Sequence, residues 1–291
     1  MRDKSIDEFQ AIFERASIPV LDIRELRLAR AAVALKGDSL DASALAVAAY
    51  LRRRFQTQIR AYWSASAARS ATLEAARGAG CDVHPRGFGS TEELVGQISI
   101  ERGLQLVILP EPPDDARRVV DLDPVVEAAP PPILLIRRPV EDPSAVFRRI
   151  LHSLSGNFRQ TRNSEYSFSL VEDGGHVLLL HTIDESDLAG VREALQLTPD
   201  ADDEDRAALL ERLARRGERY LKAVVAASRA SPYDVQYRLA TGSVVEQVKA
   251  ELRANPYGLL VIGCHEGGVS RVSASDYQLM HEVRDVAVLA L

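Results

Sequence analysis

The feature that most constrains this chain is that it is written twice. Short apolar runs bounded by turn residues, the form taken by buried parallel strands, recur in the same order. The first set is Ala32–Leu35, Ile59–Trp63, Leu106–Leu109 and Ile133–Ile136. The second is Ile150–Leu151, Val177–Leu180, Leu259–Ile262 and Val286–Leu289. Gly37 aligns with Gly156 and Trp63 with Thr182, both 119 residues on. Val107 then aligns with Val261 at 154 and Ile133 with Val286 at 153. One inserted block near 184–216 accounts for the shift, and it contains the acidic run Asp200–Asp205. A run of that composition reads as a solvated loop.

Helical spacings lie between the strands. Leu40, Ala44, Leu45, Ala48, Leu51 and Phe55 follow Asp38 and Ser39, residues suited to an N-cap. Leu94, Val95 and Ile98 are repeated by Val244, Val245 and Val248, and Tyr277, Met280 and Val283 mark a last helix. Leu209, Leu213, Tyr220, Leu221 and Val224 mark another helix, and third strands are expected at Cys81–His84 and Asp234–Leu239. Residues 158–175 admit two readings: the repeat asks for a helix, whereas Ser167–Val171 before Asp173-Gly174-Gly175 could open a hairpin. Each half therefore predicts an α/β fold, giving two tandem doubly wound parallel-sheet domains. The expected boundaries are an N-terminal extension at 1–28 with a short helix around Phe9, Ile12 and Phe13, a first domain at 29–140 and a second at 144–291. The linker Arg137–Pro143 carries two prolines and flanking charges.

A net charge of −6 argues against a nucleic-acid partner, which would require a basic face. No apolar run reaches the ~20 residues that span a bilayer, so no membrane partner is expected. Two cysteines, Cys81 and Cys264, cannot make a disulfide framework. Together these predict a soluble, cytoplasmic protein. Residues 1–8 carry acids and no hydrophobic leader.

In open parallel sheets ligands bind beyond the carboxyl ends of the strands, where strand order reverses. The second-half loop there reads Gly263-Cys264-His265-Glu266-Gly267-Gly268-Val269-Ser270-Arg271, with Ser273 and Ser275 beyond it. Its glycines, hydroxyls and guanidinium, placed before a helix N-terminus, suit a phosphate group. The corresponding first-half loop, Pro110-Glu111-Pro112-Pro113-Asp114-Asp115, offers three prolines and three carboxylates and reads as a dead site. Cys264-His265-Glu266 contains metal-ligand types, but no partner pair has metal spacing. His176 and His181 read as structural, and Lys36 as a partner for Asp38 or an anion. No phosphate-loop lysine motif, serine nucleophile elbow or zinc-helix motif is present, so no catalytic residue is assigned.

The strand, Gly37-Asp38-Ser39 turn, helix and closing strand resemble the universal stress protein family. So does Leu260-Val261-Ile262-Gly263-Cys264-His265 followed by Gly268-Val269-Ser270-Arg271. Two such units look like the tandem members of the family, over about residues 28–291. The resemblance implies a pseudo-dimer in which the last strands pair, with a homodimer as a further expectation. It also implies a stress-linked binding or regulatory module that takes ATP or a related nucleotide, with magnesium only as the nucleotide's companion. The implied contacts in the second half are Ser155, Gly156, Thr182, Gly263, His265, Gly267, Gly268, Ser270, Arg271, Ser273 and Ser275. The sequence departs from the family pattern in places: Lys36 and Ser155 stand where ATP-binding members carry an acid, and Glu266 stands at the second glycine of the loop. An interaction scaffold with an unidentified protein partner is therefore the alternative. Ser155-Gly156-Asn157 is also faintly similar to the loop of ATP pyrophosphatases, but lacks that loop's second glycine and its following Asp and Ser.

Overall fold

The computed structural model describes residues 26–68, 71–111, 120–154, 161–183, 203–229, 231–263 and 272–291. The first-half strands are β1 (Arg30–Leu35), β2 (Gln58–Trp63), β3 (Asp82–Val83), β4 (Leu106–Pro110) and β5 (Ile133–Ile136). Between them run helices α1 (Asp41–Phe55), α2 (Ala65–Ala68), α3 (Thr72–Gly78), α4 (Thr91–Ile100) and α5 (Leu122–Ala128). A short helix α6 (Pro143–Arg148) leads into β6 (Arg149–Leu154), α7 (Thr161–Leu170), β7 (His176–Ile183) and α8 (Asp203–Ala227). The chain closes with β8 (Asp234–Thr241), α9 (Val244–Ala254), β9 (Leu259–Ile262), α10 (Ala274–Glu282) and β10 (Ala287–Ala290).

All ten strands join one sheet in the order β3-β2-β1-β4-β5-β10-β9-β6-β7-β8. Every pairing is parallel except β5 with β10. That antiparallel seam pairs Leu135 with Val288, Leu134 with Leu289 and Ile133 with Ala290, which puts Leu134 and Leu289 on a pseudo-twofold axis. The expected pseudo-dimer is thus a single continuous sheet. The central strands are buried on both faces, as their unbroken apolar sequences require. One face packs Val33, Leu35, Val177 and Leu179 against α1, α7 and α8; the other packs Leu180, Leu260 and Val288 against α4, α9 and α10.

Strand register corrects the sequence alignment. Leu35 pairs with Trp63, and Leu154 pairs with His181. Trp63 is therefore equivalent to His181, and Thr182 to Ser64. Ala31 pairs with Leu106 and Ile150 with Leu259, so Val107 matches Leu260 and not Val261. The seam likewise equates Ile133 with Val288, not Val286. β3 is shorter and β8 longer than expected.

The ambiguous 158–175 stretch is helical from Thr161. Its serines mimic a strand pattern because they face a polar patch under the sheet: Ser164 and Ser167 are buried, and the Ser167 hydroxyl lies 3.1 Å from His152 Nδ1. Asp173-Gly174-Gly175 is the turn into β7, with Gly174 at φ +72 donating its N–H to the Pro232 carbonyl. Residues 203–205 of the acidic run, expected as solvated loop, open the 25-residue helix α8, which carries the expected helical positions Leu209, Leu213, Tyr220, Leu221 and Val224. Tyr220, Leu221 and Val224 bury the later turns of α8. Arg137, expected as a linker charge, is buried at the seam. Residues 1–25, Pro112–Val119 and 184–202 lie outside the described residues.

Candidate functional site

Strand order reverses between β1 and β4 and again between β6 and β9, so each half carries a cleft at the carboxyl ends of those strands. The two clefts are built from equivalent positions and differ in how their polar groups are satisfied.

In the first half most of the polar groups answer one another; Asp38 Oδ2 has no hydrogen bond, only the Lys36 ammonium 3.4 Å away. The Asp41 carboxylate accepts from the amides of Lys36 at 3.0 Å and Gly37 at 2.7 Å. Burial is the main cause that raises the Asp41 pKa to about 6; the two backbone donors pull the other way. Lys36 is itself buried and lies 3.4 Å from Asp38, the pairing that was one of its two expected roles. Ser64 donates its hydroxyl to the Lys36 carbonyl at 2.8 Å. Gly37 has φ +82, and a Cβ there would sit 2.7 Å from the backbone of Ser66 and Ala67, so α2 is seated directly on the turn. Asp38 and Ser39 do not cap α1 by side-chain contact; Leu40 occupies the cap position, and Asp38 accepts from its amide at 2.8 Å.

Beyond β4, Glu111 is the described part of the proline-rich loop. Both of its carboxylate oxygens are engaged. Arg137 donates Nε at 3.0 Å and Nη2 at 2.7 Å to Oε2, and Arg284 from the second half donates to Oε1 at 3.2 Å. Arg137 also donates to the carbonyl of Val283. This cluster straddles the seam.

In the second half, Ser153 and Leu154 end β6, His181 and Thr182 lie near the end of β7, and Gly263 follows β9. His181 places Nδ1 at 3.0 Å from the Leu154 carbonyl, and burial lowers its pKa. His176 at the other end of β7 pairs with Asp234 at 3.0 Å. Both contacts are structural. Thr182 differs: it is 2% exposed, and its Oγ1 has no hydrogen-bond partner among the described residues. Its equivalent, Ser64, has one. An orphaned buried hydroxyl costs about 1–3 kcal/mol, so it calls for a reason.

Helix α10 borders the same cleft. Ser273 caps it, accepting from the Asp276 amide at 3.0 Å and donating to Asp276 Oδ2 at 2.6 Å. The Ser273 hydroxyl, expected at a phosphate, is thus occupied by the cap, while Ser275 is half-buried in the first turn. Asp276, fully buried, is a residue that sequence reasoning missed; the Ser-x-x-Asp spacing is the signal that could have found it. Of the expected contacts, Thr182 lies near the carboxyl end of β7, Gly263 follows β9, and Ser273 and Ser275 stand at the start of α10. Ser155, Gly156, His265, Gly267, Gly268, Ser270 and Arg271 lie outside the described residues, as does Cys264. Among the described residues no group of three or more His, Cys, Asp or Glu could hold a metal. Cys81 is buried, and burial raises its thiol pKa to about 11.

Residues 162–282 match the model of the Universal stress protein family. The second half of this chain is thus similar in sequence to a universal stress protein domain. The whole chain also shares its fold with solved structures of similar length. A universal stress protein from Archaeoglobus fulgidus DSM 4304 is 13% identical with a TM-score of 0.57, covering 89% of this chain and 97% of its own. A protein of unknown function from Pseudomonas aeruginosa PAO1 is 16% identical with a TM-score of 0.59, covering 94% of each chain. At these identities the likeness carries the fold alone. No curated protein matches in sequence. No helix among the described residues is long and apolar enough to cross a membrane.

Proposed function

We propose that this chain is a stress-response regulatory module in which the second universal stress protein cleft binds ATP or a related adenine nucleotide. In this reading the first half serves as its structural partner. The observation that carries the reading is the Thr182 hydroxyl, buried without a partner where the first half's Ser64 hydroxyl is satisfied. A nucleotide base or sugar offers the missing hydrogen-bond partner, and the domain match supports that ligand class. Thr182, Gly263 and the first-turn amides of α10 near Ser275 would line the site. Ser155, Gly156, His265, Gly267, Gly268, Ser270 and Arg271 would complete it, with magnesium arriving on the nucleotide. The first half is read as the degenerate one, since its turn amides are filled by Asp41 and its Glu111 by two arginines. No catalytic group is assigned.

The test is thermal unfolding with and without Mg-ATP on the native protein, Thr182→Val and Arg271→Ala. A ligand at about 100 times its Kd adds roughly 2.7 kcal/mol, a shift of several degrees for a chain of this size. Thr182→Val should keep or raise the stability of the free protein, because it removes an orphaned hydroxyl without changing shape, and should shrink the ATP shift. No shift in the native protein, with no nucleotide released on acid quenching, would overturn the nucleotide reading and leave an interaction scaffold in its place.

A further inference from the structure

At the opposite end of the first-half sheet lies a second concavity, of about 800 Å³, beneath the amino ends of β1 and β2 and the carboxyl ends of α1 and α4. That volume is in the range of small-molecule sites. Its charged lining is Arg30, Arg52, Arg53 and Arg60 against Asp82 and Glu101. Such an excess of cations stands out in a chain whose net charge is −6.

The arginines are not equally accounted for. Arg60 is held by Asp82 at 2.7 Å and Glu101 at 3.1 Å, and both acids are thereby neutralised. Arg30 donates to the Arg102 carbonyl at 3.1 Å, meeting one of the free carbonyls past α4. Arg54, on the far side of α1, pairs with Glu172. Arg52 and Arg53 have no ion-pair partner among the described residues. The carboxyl end of α1 favours a nearby cation by about 0.3–1 kcal/mol, and Arg54 already stands in that last turn. The helix end does not require two more. Arg52 is laid across Gly80, where φ is +78 and a Cβ would meet the guanidinium at 2.6 Å. The glycine keeps that side chain at the cavity wall.

We infer that this cavity binds a small soluble anion bearing two or more linked phosphate groups, gripped by the Arg52 and Arg53 guanidiniums. Both arginines line the cavity, and planar donor forks match phosphate oxygens bidentately. The exposed Asp82 carboxylate, already steadied by Arg60, can accept a hydroxyl from the rest of the ligand. The site is distinct from the second-half cleft and stands whether or not that cleft binds nucleotide.

The experiment is isothermal titration of the full chain with inorganic tripolyphosphate. The native protein should bind it, and Arg52→Ala with Arg53→Ala should weaken binding by about tenfold or more. The pair Arg52→Gln with Arg53→Gln should do the same, with unchanged circular dichroism confirming the fold. Any binding at the proposed nucleotide cleft would persist in both arginine variants, which separates the two sites. Removing the exposed Arg229 and Arg253 instead, an equal loss of charge, should leave the affinity unchanged. The inference is overturned if the native protein does not bind, if the arginine variants bind normally, or if the control pair loses as much. It is overturned too if the same arginines bind a single-stranded oligonucleotide but not tripolyphosphate.

Discussion

The Glu111 cluster makes a stringent test of how the two halves are held. Arg137 has no exposed side-chain surface and Glu111 has 6%. Both therefore gave up hydration on folding, and each depends on the other for compensation. Glu111→Ala strips the buried Arg137 guanidinium of its carboxylate partner, and releases Arg284 as well. Removing one partner of such a pair costs about 3–5 kcal/mol. For a chain of this size that is a fall in Tm on the order of 10 °C. Replacing both members with apolar residues of similar volume, Glu111→Leu with Arg137→Met, should recover most of the loss, because neither charge is then stranded. The assay is urea unfolding followed by far-UV circular dichroism, run as a double-mutant cycle. The result should change little with salt, since a buried pair is weakly screened. A Glu111→Ala cost below about 1 kcal/mol, the range of exposed pairs, would refute the reasoning. So would single-variant costs that simply add.

The remaining predictions follow from burial and charge. Leu289→Ala, at the pseudo-twofold position opposite Leu134, should cost about 2–5 kcal/mol by denaturant unfolding, as a fully buried leucine truncated where the sheet cannot close up. Asp41 has a folded pKa near 6 against an ordinary 3.8, so the folded state holds its proton more tightly. Stability from this group is full below about pH 4 and falls as pH rises to about 6, on the order of 3 kcal/mol in all; Asp41→Asn should abolish that fall in a pH series of unfolding curves. His152 behaves in the opposite sense: burial lowers its pKa from 6.5 to about 3, so it stays neutral in the fold while the unfolded chain takes up a proton. Stability is lost as pH drops below 6.5, by about 1.4 kcal/mol per unit, and His152→Val, which installs the residue of the equivalent first-half position Val33, should flatten that limb.

The fold was legible because its strands are buried on both faces and so appear as unbroken apolar runs that can be counted and aligned. The alignment slipped by one residue at the end of β7, where Thr182 took the place that His181 holds. Both residues close an apolar run, and only the pairing of Leu154 with His181 distinguishes them. The α7 helix was obscured by serines that a helix rarely buries. Ser167 is buried here against a ring nitrogen that His152 presents from the strand above. The candidate cleft could be proposed from topology, but its chemistry could not. Whether a hydroxyl is satisfied depends on a carbonyl many residues away, as Ser64 depends on Lys36. The seam cluster brings together Glu111, Arg137 and Arg284, whose separation in sequence hides any pattern.

The asymmetry between the clefts follows from where each half sends its polar groups. In the first half the turn after β1 absorbs most of them. Asp41 fills the amides of Lys36 and Gly37, Ser64 takes the Lys36 carbonyl, Lys36 takes Asp38, and α2 seats on Gly37. These contacts come from the chain's own groups, so they satisfy most of the turn without help from a ligand. At the equivalent place in the second half, the position of Ser64 carries Thr182, and its hydroxyl has no partner. A buried group left in that state lowers stability unless something outside the protein supplies its partner. Two copies of one fold can diverge in this way because the continuous sheet needs only the apolar strands of both. One cleft is then free to be sealed by its own side chains while the other retains an unmet bond. Thr182→Val measures that difference directly: a gain in stability of the free protein is the expected result, and a loss would mean that the hydroxyl is satisfied after all.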